Sequence, residues 1–353
     1  MPTDGVRHLP FISADLPGTG GRLKAEAADF LVEELPLYEP EGTGEHLYVR
    51  IRRSGRTTRD IETSLARLFD LADVDVGCAG LKDKNATAEQ TFSLRGGAID
   101  PEAAAARIAF ELGVEVLWTK RHKNKLRRGH LLGNRFTILL SDVGPDALAR
   151  AEAVRARLVS GLWPNFYGVQ RFGLDGSNAA LGADVLRGRG PRQRWLRRFV
   201  LSSWQSALFN VWLTERIERG DFGRILRGDV AKKTDFGGLF DVLDPVVEQA
   251  RFDRGEITYT GPMFGAEMRA ATNDAATHEA SVLAAAGFAT ADLTRARLEG
   301  TRRPAALRLK DISVVETERG LRFAFALPKG SYATTLLREF TKVDDGLPEG
   351  DDE

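Results

Sequence analysis

The chain has 353 residues, enough for two or three domains, of which 42% are hydrophobic; 50 acidic and 50 basic side chains give a formal net charge of zero. One cysteine, Cys78, excludes disulfide scaffolds and cysteine-rich zinc sites within a single chain. No run of about 18 apolar residues occurs, and the start MPTDGVRHLP lacks the basic-then-apolar order of a secretion signal, which predicts a cytoplasmic protein with no membrane span.

In chain order, DFLVEE at 29–34 and HLYVRIRR at 46–53 read as strands; in the second, Leu47, Val49 and Ile51 alternate with Tyr48, Arg50 and Arg52, so one sheet face is buried. Thr58 is expected to cap a helix reaching about Ala72, with Ile61, Leu65 and Leu68 on one side. TFSLR at 91–95 is a short strand, and Asp100 with Pro101 opens a helix that Gly113 ends. EVLWTK at 115–120 and RFTILLS at 135–141 are further strands, followed by a helix through ALARAEAVRARLVSG at 147–161. From about Gly161 the texture turns to glycine, arginine and aromatic residues, with helices in SSWQSALFNVWLTERIERG (202–220) and SVLAAAGFATADLTRARLEG (281–300). Strands return after Arg303 in DISVVETE and GLRFAFALP, and YATTLLREFTK at 332–342 is the last helix. This β-rich, helix-rich, β-rich order predicts an α+β protein: one domain with a mixed, largely antiparallel sheet from residues 1–160 and 305–343, interrupted by an inserted α+β domain at 161–304, with an acidic, disordered tail at 344–353.

The zero net charge conceals two basic runs, TKRHKNKLRRGH at 119–130 and RGRGPRQRWLRR at 187–198, which point to a polyanionic partner, although either alone is as readily a solvated arginine-rich face. There is no phosphate loop and no GxGxxG opening a helix, which excludes the commoner ATP and dinucleotide sites. The five histidines are scattered without metal-ligand spacing, and GxSxG is absent. What remains is AGLKDKNATAEQTFSLRG at 79–96, where Asp83 sits between Lys82 and Lys84. Cationic neighbours favour the ionised carboxylate and suit it to nucleophilic or general-base work, yet taken alone a KDK run reads more readily as a charged surface turn.

GLKDKNATAEQ at 80–90 resembles the catalytic-loop signature of the TruD pseudouridine synthases, and four other blocks match in order: KAEAADFLVEE (24–34), KNKLRRGHLLGNRF (123–136), PNFYGVQRFG (164–173) and LPKGSYATTLLREF (327–340). RGDVAKKTDFGGLF (227–240) and TGPMFG (260–265) resemble the family's inserted domain. The resemblance implies a pseudouridine-synthase-like catalytic domain interrupted by a TRUD domain, and isomerisation of a uridine in tRNA to pseudouridine. Uridine 13 of the D-arm is the family's usual bacterial target. It further implies Asp83 as nucleophile on a flipped base, with attack on C6 of the base or C1′ of the sugar left open; no cofactor is expected, because one glycosidic bond is exchanged for another, no metal is expected from the scattered histidines, and no obligate protein partner is evident. Lys24 matches the lysine expected to keep the aspartate ionised, Phe136 the aromatic expected to stack on the base, and Asn134 a hydrogen-bonding group near them. Lys82, Lys84, Lys123, Lys125, Arg127, Arg128 and Arg171 are the expected RNA contacts, gripping the backbone without choosing sequence. Two rivals stay open: a non-catalytic RNA-binding protein, and another RNA-modifying enzyme such as a methyltransferase, which would need a glycine-rich cofactor loop that the sequence lacks.

Overall fold

Alternating apolar residues in the first 143 positions zip into a sheet, and the chain closes it again near its end. The structure, a computed structural model, describes residues 9–23, 26–173, 176–235 and 237–343, so Lys24 and the acidic tail lie outside the described residues. The chain divides into two compact units.

The first unit comprises Gly18–Glu152 and Asp311–Ala333. Its strands begin with β1 (Gly20–Leu23), β2 (Phe30–Pro36) and β3 (His46–Arg53). Helix α1 (Thr58–Leu68) follows, capped by Thr57 rather than Thr58: the Thr57 hydroxyl accepts the Asp60 N–H at 3.0 Å and the Asp60 carboxylate accepts the Thr57 N–H at 2.8 Å. It also stops four residues short of the expected end. Then come β4 (Val76–Cys78), β5 (Thr87–Arg95), α2 (Pro101–Leu112), β6 (Glu115–His122), β7 (Leu131–Val143) and α3 (Ala147–Ser160), which crosses the unit boundary. Asp100 caps α2 by accepting the Ala103 N–H at 2.8 Å, and Gly113, at φ +62°, ends it as expected.

The second unit comprises Ala153–Lys310 with residues 9–17 and 334–343. It contains β8 (Trp163–Pro164), α4 (Ser177–Leu186), the long α5 (Arg194–Glu218), β9 (Val230–Lys233), β10 (Leu239–Asp241), α6 (Pro245–Asp253), β11 (Ile257–Met263), α7 (Asn273–Ala285), α8 (Thr290–Arg295), β12 (Thr301–Pro304) and β13 (Ala306–Leu307). Strands β14 (Ile312–Thr317) and β15 (Gly320–Pro328) then return to the first unit, before α9 (Ala333–Thr341).

In the first unit the sheet runs β14-β15-β7-β2-β5-β3-β6, with β1 added to β7 and β4 to β5. Only the β2–β5 pair is parallel among its described ladders, so the fold is α+β around a mixed, largely antiparallel sheet. Helices α1 and α2 cover one face, where Leu47, Val49, Ile51, Phe92 and Leu94 meet Ile61, Leu65 and Ile108; each such side chain contributes about 1.5–3 kcal/mol. Gly133 lets β15 approach β7, since a Cβ there would lie 2.0 Å from the Leu327 carbonyl oxygen.

The second unit packs a four-stranded sheet, β10-β9-β11-β12, on α5. Trp204, Leu208 and Trp212 recur every four residues along α5, with Phe209 and Leu213 beside them, and all are buried with Ile257 and Tyr259 of β11. Helix α9 belongs here rather than with the returning strands, unlike the expected 305–343 segment. Its Glu339 carboxylate accepts the Ile12 N–H at 3.0 Å and the Ser13 hydroxyl at 2.6 Å, while the Arg338 guanidinium covers the Phe11 ring.

Within the second unit Arg216 and Asp229 form a fork-to-fork pair at 2.7 and 2.8 Å, with side chains only 1% and 2% exposed, and the guanidinium lies 3.8 Å from the Tyr259 ring centroid. Removing one partner strands a buried charge. Asp229→Asn is therefore expected to cost about 3–5 kcal/mol and lower the urea midpoint of unfolding; an unchanged midpoint would show that the pair does not hold this core.

Candidate active site

Asp83 sits in the loop between β4 and β5, and the loop is fixed through its carbonyls. The Arg53 guanidinium donates to the carbonyls of Lys82 at 2.9 Å and Asp83 at 3.1 Å, and to that of Arg56. Gln90 Nε2 donates to the Gly80 carbonyl at 2.6 Å, joined there by Arg128 at 2.9 Å and by the Cys78 thiol. The Gly129 and Gly55 N–H groups take the carbonyls of Ala79 and Lys84. Thr58, freed from capping by Thr57, spends its hydroxyl on the same network: it accepts from Arg53 and from the Lys82 N–H and donates to Gln90 Oε1, filling one donor and two acceptor sites. Irregular backbone held at five carbonyls has little freedom to move.

The Asp83 side chain is half-buried, and its Oδ1 accepts the Asn85 N–H at 3.0 Å, a local turn that orients the carboxylate. Cys78 is no rival nucleophile, because burial pushes its thiol far up and keeps it protonated at neutral pH.

Lys82 corrects one expectation. Its ammonium turns inward to Glu34 at 3.0 Å, both side chains being 3% exposed, so it anchors the loop to β2 instead of facing RNA. Lys84 is exposed. By register, Glu34, Asn134 and Phe136 project from the same sheet face as Gln90 and Arg53: Glu34 opposes Asn134, Val32 opposes Phe136, and Ala88 opposes both Val32 and Arg53. Sheet geometry thus gathers Asn134 and Phe136 on the face to which the Asp83 loop is anchored. Phe136 is buried, edge-on to Phe30 at 6.0 Å and tilted to Phe325 at 5.5 Å between centroids. Asn134 Oδ1 is buried with no hydrogen-bond partner among the described residues.

The basic expectations divide. Arg127 is exposed, Lys123 pairs at the surface with Glu41 at 2.9 Å, and Lys125 donates to the Val74 carbonyl. Arg128 instead ties α1 to the loop, reaching Glu62 at 3.0 Å as well as Gly80, and Arg171 is turned onto α5, where it donates to Ser202 and Ser206 and lies 5.7 Å from the Phe199 ring centroid. Sequence reasoning missed Arg53, Thr58, Gln90 and Glu34; the signal for Arg53 was present, since the Leu47, Val49, Ile51 alternation extended by two residues puts it on the buried face. Among the described residues no group of histidine, cysteine and carboxylate side chains has the makings of a metal site, and no helix is long and apolar enough to cross a membrane.

The family model described as tRNA pseudouridine synthase D (TruD) matches residues 9–193 and 191–340. A tRNA pseudouridine synthase D of Anaeromyxobacter dehalogenans is 48% identical over 98% of this chain and 100% of its own length. One from Thermus thermophilus is 44% identical over 96% and 93%. The crystal structure of a Methanosarcina mazei protein described as TruD shares the fold, with a TM-score of 0.75 at 23% identity over 96% of this chain and 97% of that one.

The Lys82–Glu34 anchor yields a double-mutant test. Lys82→Met alone leaves an unpaired buried carboxylate and is expected to cost about 3–5 kcal/mol, whereas adding Glu34→Gln recovers part of that loss. Equal losses in the single and the double variant, read from denaturant midpoints, would dismiss the coupling.

Proposed function

The chain belongs to the TruD family of tRNA pseudouridine synthases, and from that membership we propose that Asp83 is the nucleophile with which it isomerises uridine 13 of the tRNA D-arm. Membership carries the coarser statement: an isomerase that converts a uridine in tRNA to pseudouridine. The observation supporting the role of Asp83 is a half-buried carboxylate on an irregular loop whose backbone is all but immobilised, its carbonyls by Arg53, Gln90 and Arg128 and the Lys82 N–H by Thr58. A nucleophile that must meet a flipped base gains from being held in place before the base arrives.

The bond changes balance without a co-reactant. Attack by the Asp83 carboxylate forms a bond to C6 or to C1′ and accompanies cleavage of the C1′–N1 bond; the base turns, the C1′–C5 bond forms, the bond to Asp83 breaks and returns the free carboxylate, the C5 proton leaves and N1 takes a proton. One glycosidic bond replaces another, so neither redox nor phosphoryl chemistry is called for. Asn134 Oδ1, a buried acceptor in need of a donor, fits the N3–H of uracil. Phe136 supplies an aromatic floor to the base pocket. Lys24 holds Asp83 ionised, a role resting on the family motif alone. Lys84, Lys123, Lys125 and Arg127 take backbone phosphates, and the enzyme works in the cytoplasm.

Tritium release from tRNA labelled at uridine C5 tests the reading, with pseudouridine mapped along the product. Wild type is expected to release tritium and to place the new base at position 13, while Asp83→Asn releases none yet binds tRNA with an affinity within about threefold. Release by the Asn variant would remove Asp83 from the chemistry; modification elsewhere would remove the position.

A further inference from the structure

The second basic run, RGRGPRQRWLRR, takes no part in the site described above. Its last residues form the first turn and more of α5. The side chains there have divided loyalties. Arg187 and Arg189 are held by Asp184 at 3.8 and 2.7 Å, and Arg197, half-buried, reaches back to the Pro191 carbonyl. Arg192, Arg194 and Arg198 are exposed and, among the described residues, have no ion-pair partner. Between them stands Trp195, 64% exposed.

Two features make this surface costly to the protein standing alone. The chain has five tryptophans, and Trp163, Trp204 and Trp212 are each no more than 1% exposed while Trp118 is partly buried, so an indole left in water is an exception whose apolar area brings no folding free energy. Arg194 and Arg198 are also four residues apart on one helix face, where like charges repel by a few tenths of a kcal/mol, and no acidic residue of the first turn offsets them. A partner that removes both costs must bring negative charge spaced to meet arginines and a flat apolar face to meet an indole. An acidic protein surface brings only the first. A single-stranded segment of RNA brings both, phosphates for the guanidiniums and an unstacked base for the ring.

We infer that Arg192, Arg194, Trp195 and Arg198 form a second RNA-contact surface, on which Trp195 stacks against an unpaired nucleotide of the substrate and the three arginines hold the phosphates beside it. The inference rests on the proposed RNA substrate and adds a contact remote in sequence from the Asp83 loop. It also assigns different work to the two kinds of residue: stacking gives affinity that is insensitive to salt, and phosphate contacts give the salt dependence.

Filter binding of tRNA over a range of salt separates them, using wild type, Trp195→Ala, Trp195→Phe and the triple variant Arg192→Ala, Arg194→Ala, Arg198→Ala. Trp195→Ala is expected to raise Kd by about 5- to 100-fold with an unchanged salt slope, as the loss of one stacked base requires, and Trp195→Phe to recover most of it. The triple variant is expected to flatten the slope of log K against log salt by up to about 2. Wild-type affinity and slope in both alanine variants, with wild-type tritium release intact, would overturn this surface and leave the isomerase reading standing. Weakening that phenylalanine fails to recover would overturn the stacking, and a wild-type protein that binds no tRNA would overturn both readings.

Discussion

One buried guanidinium organises the candidate site. Arg53 ends β3 on its apolar face, where a charged group is costly to bury without hydrogen-bond acceptors, and its two terminal nitrogens find them in the carbonyls of Lys82, Asp83 and Arg56 and in the Thr58 hydroxyl. The chain between β4 and β5 therefore cannot relax outward without leaving a buried cation unsatisfied. Thr58 and Gln90 extend the same logic to α1 and β5, and the Lys82–Glu34 pair ties the far side of the loop to β2. The rigidity of Asp83 thus comes from four neighbouring elements of one unit, and little of it from the loop's own composition.

The same economy explains why local charge is a poor guide to the RNA-facing surface. Arg128 and Arg171 lie in basic or aromatic segments that look made for phosphate, yet each is committed to internal hydrogen bonds. Lys82, flanking the nucleophile candidate, is more buried than Asp83 itself. Arginine serves here as a connector of carbonyls, a role its fork of donors suits better than lysine's single ammonium. Arg127 in one unit and Arg192, Arg194 and Arg198 in the other are among the exposed arginines without such commitments.

Much of this architecture was legible in the residues. The 2-residue period of 46–53 and 320–328, the Asp100–Pro101 start and the Gly113 stop all lie where elementary rules place them. The TruD resemblance rested on blocks that the family model spans almost end to end. What was not legible depended on contacts distant in sequence. Thr57 and Thr58 are equally good caps by type, and only the distance between α1 and the Asp83 loop decides that Thr58 is needed elsewhere. Helix α5 begins eight residues before the apolar pattern announces it, because arginines hide its first turns. The allegiance of α9 follows from Glu339 meeting Ile12 and Ser13, more than 320 positions away, which no local pattern encodes.

The single-turnover rate of Arg53→Lys tests most directly whether this network presents Asp83 for reaction. Lysine keeps the charge but cannot fork between two carbonyls, so the rate of tritium release from bound tRNA is expected to fall at least about tenfold while tRNA affinity stays within about twofold. An unaltered rate in the folded variant would contradict the account, because Asp83 would then be positioned without the guanidinium that the structure makes its anchor.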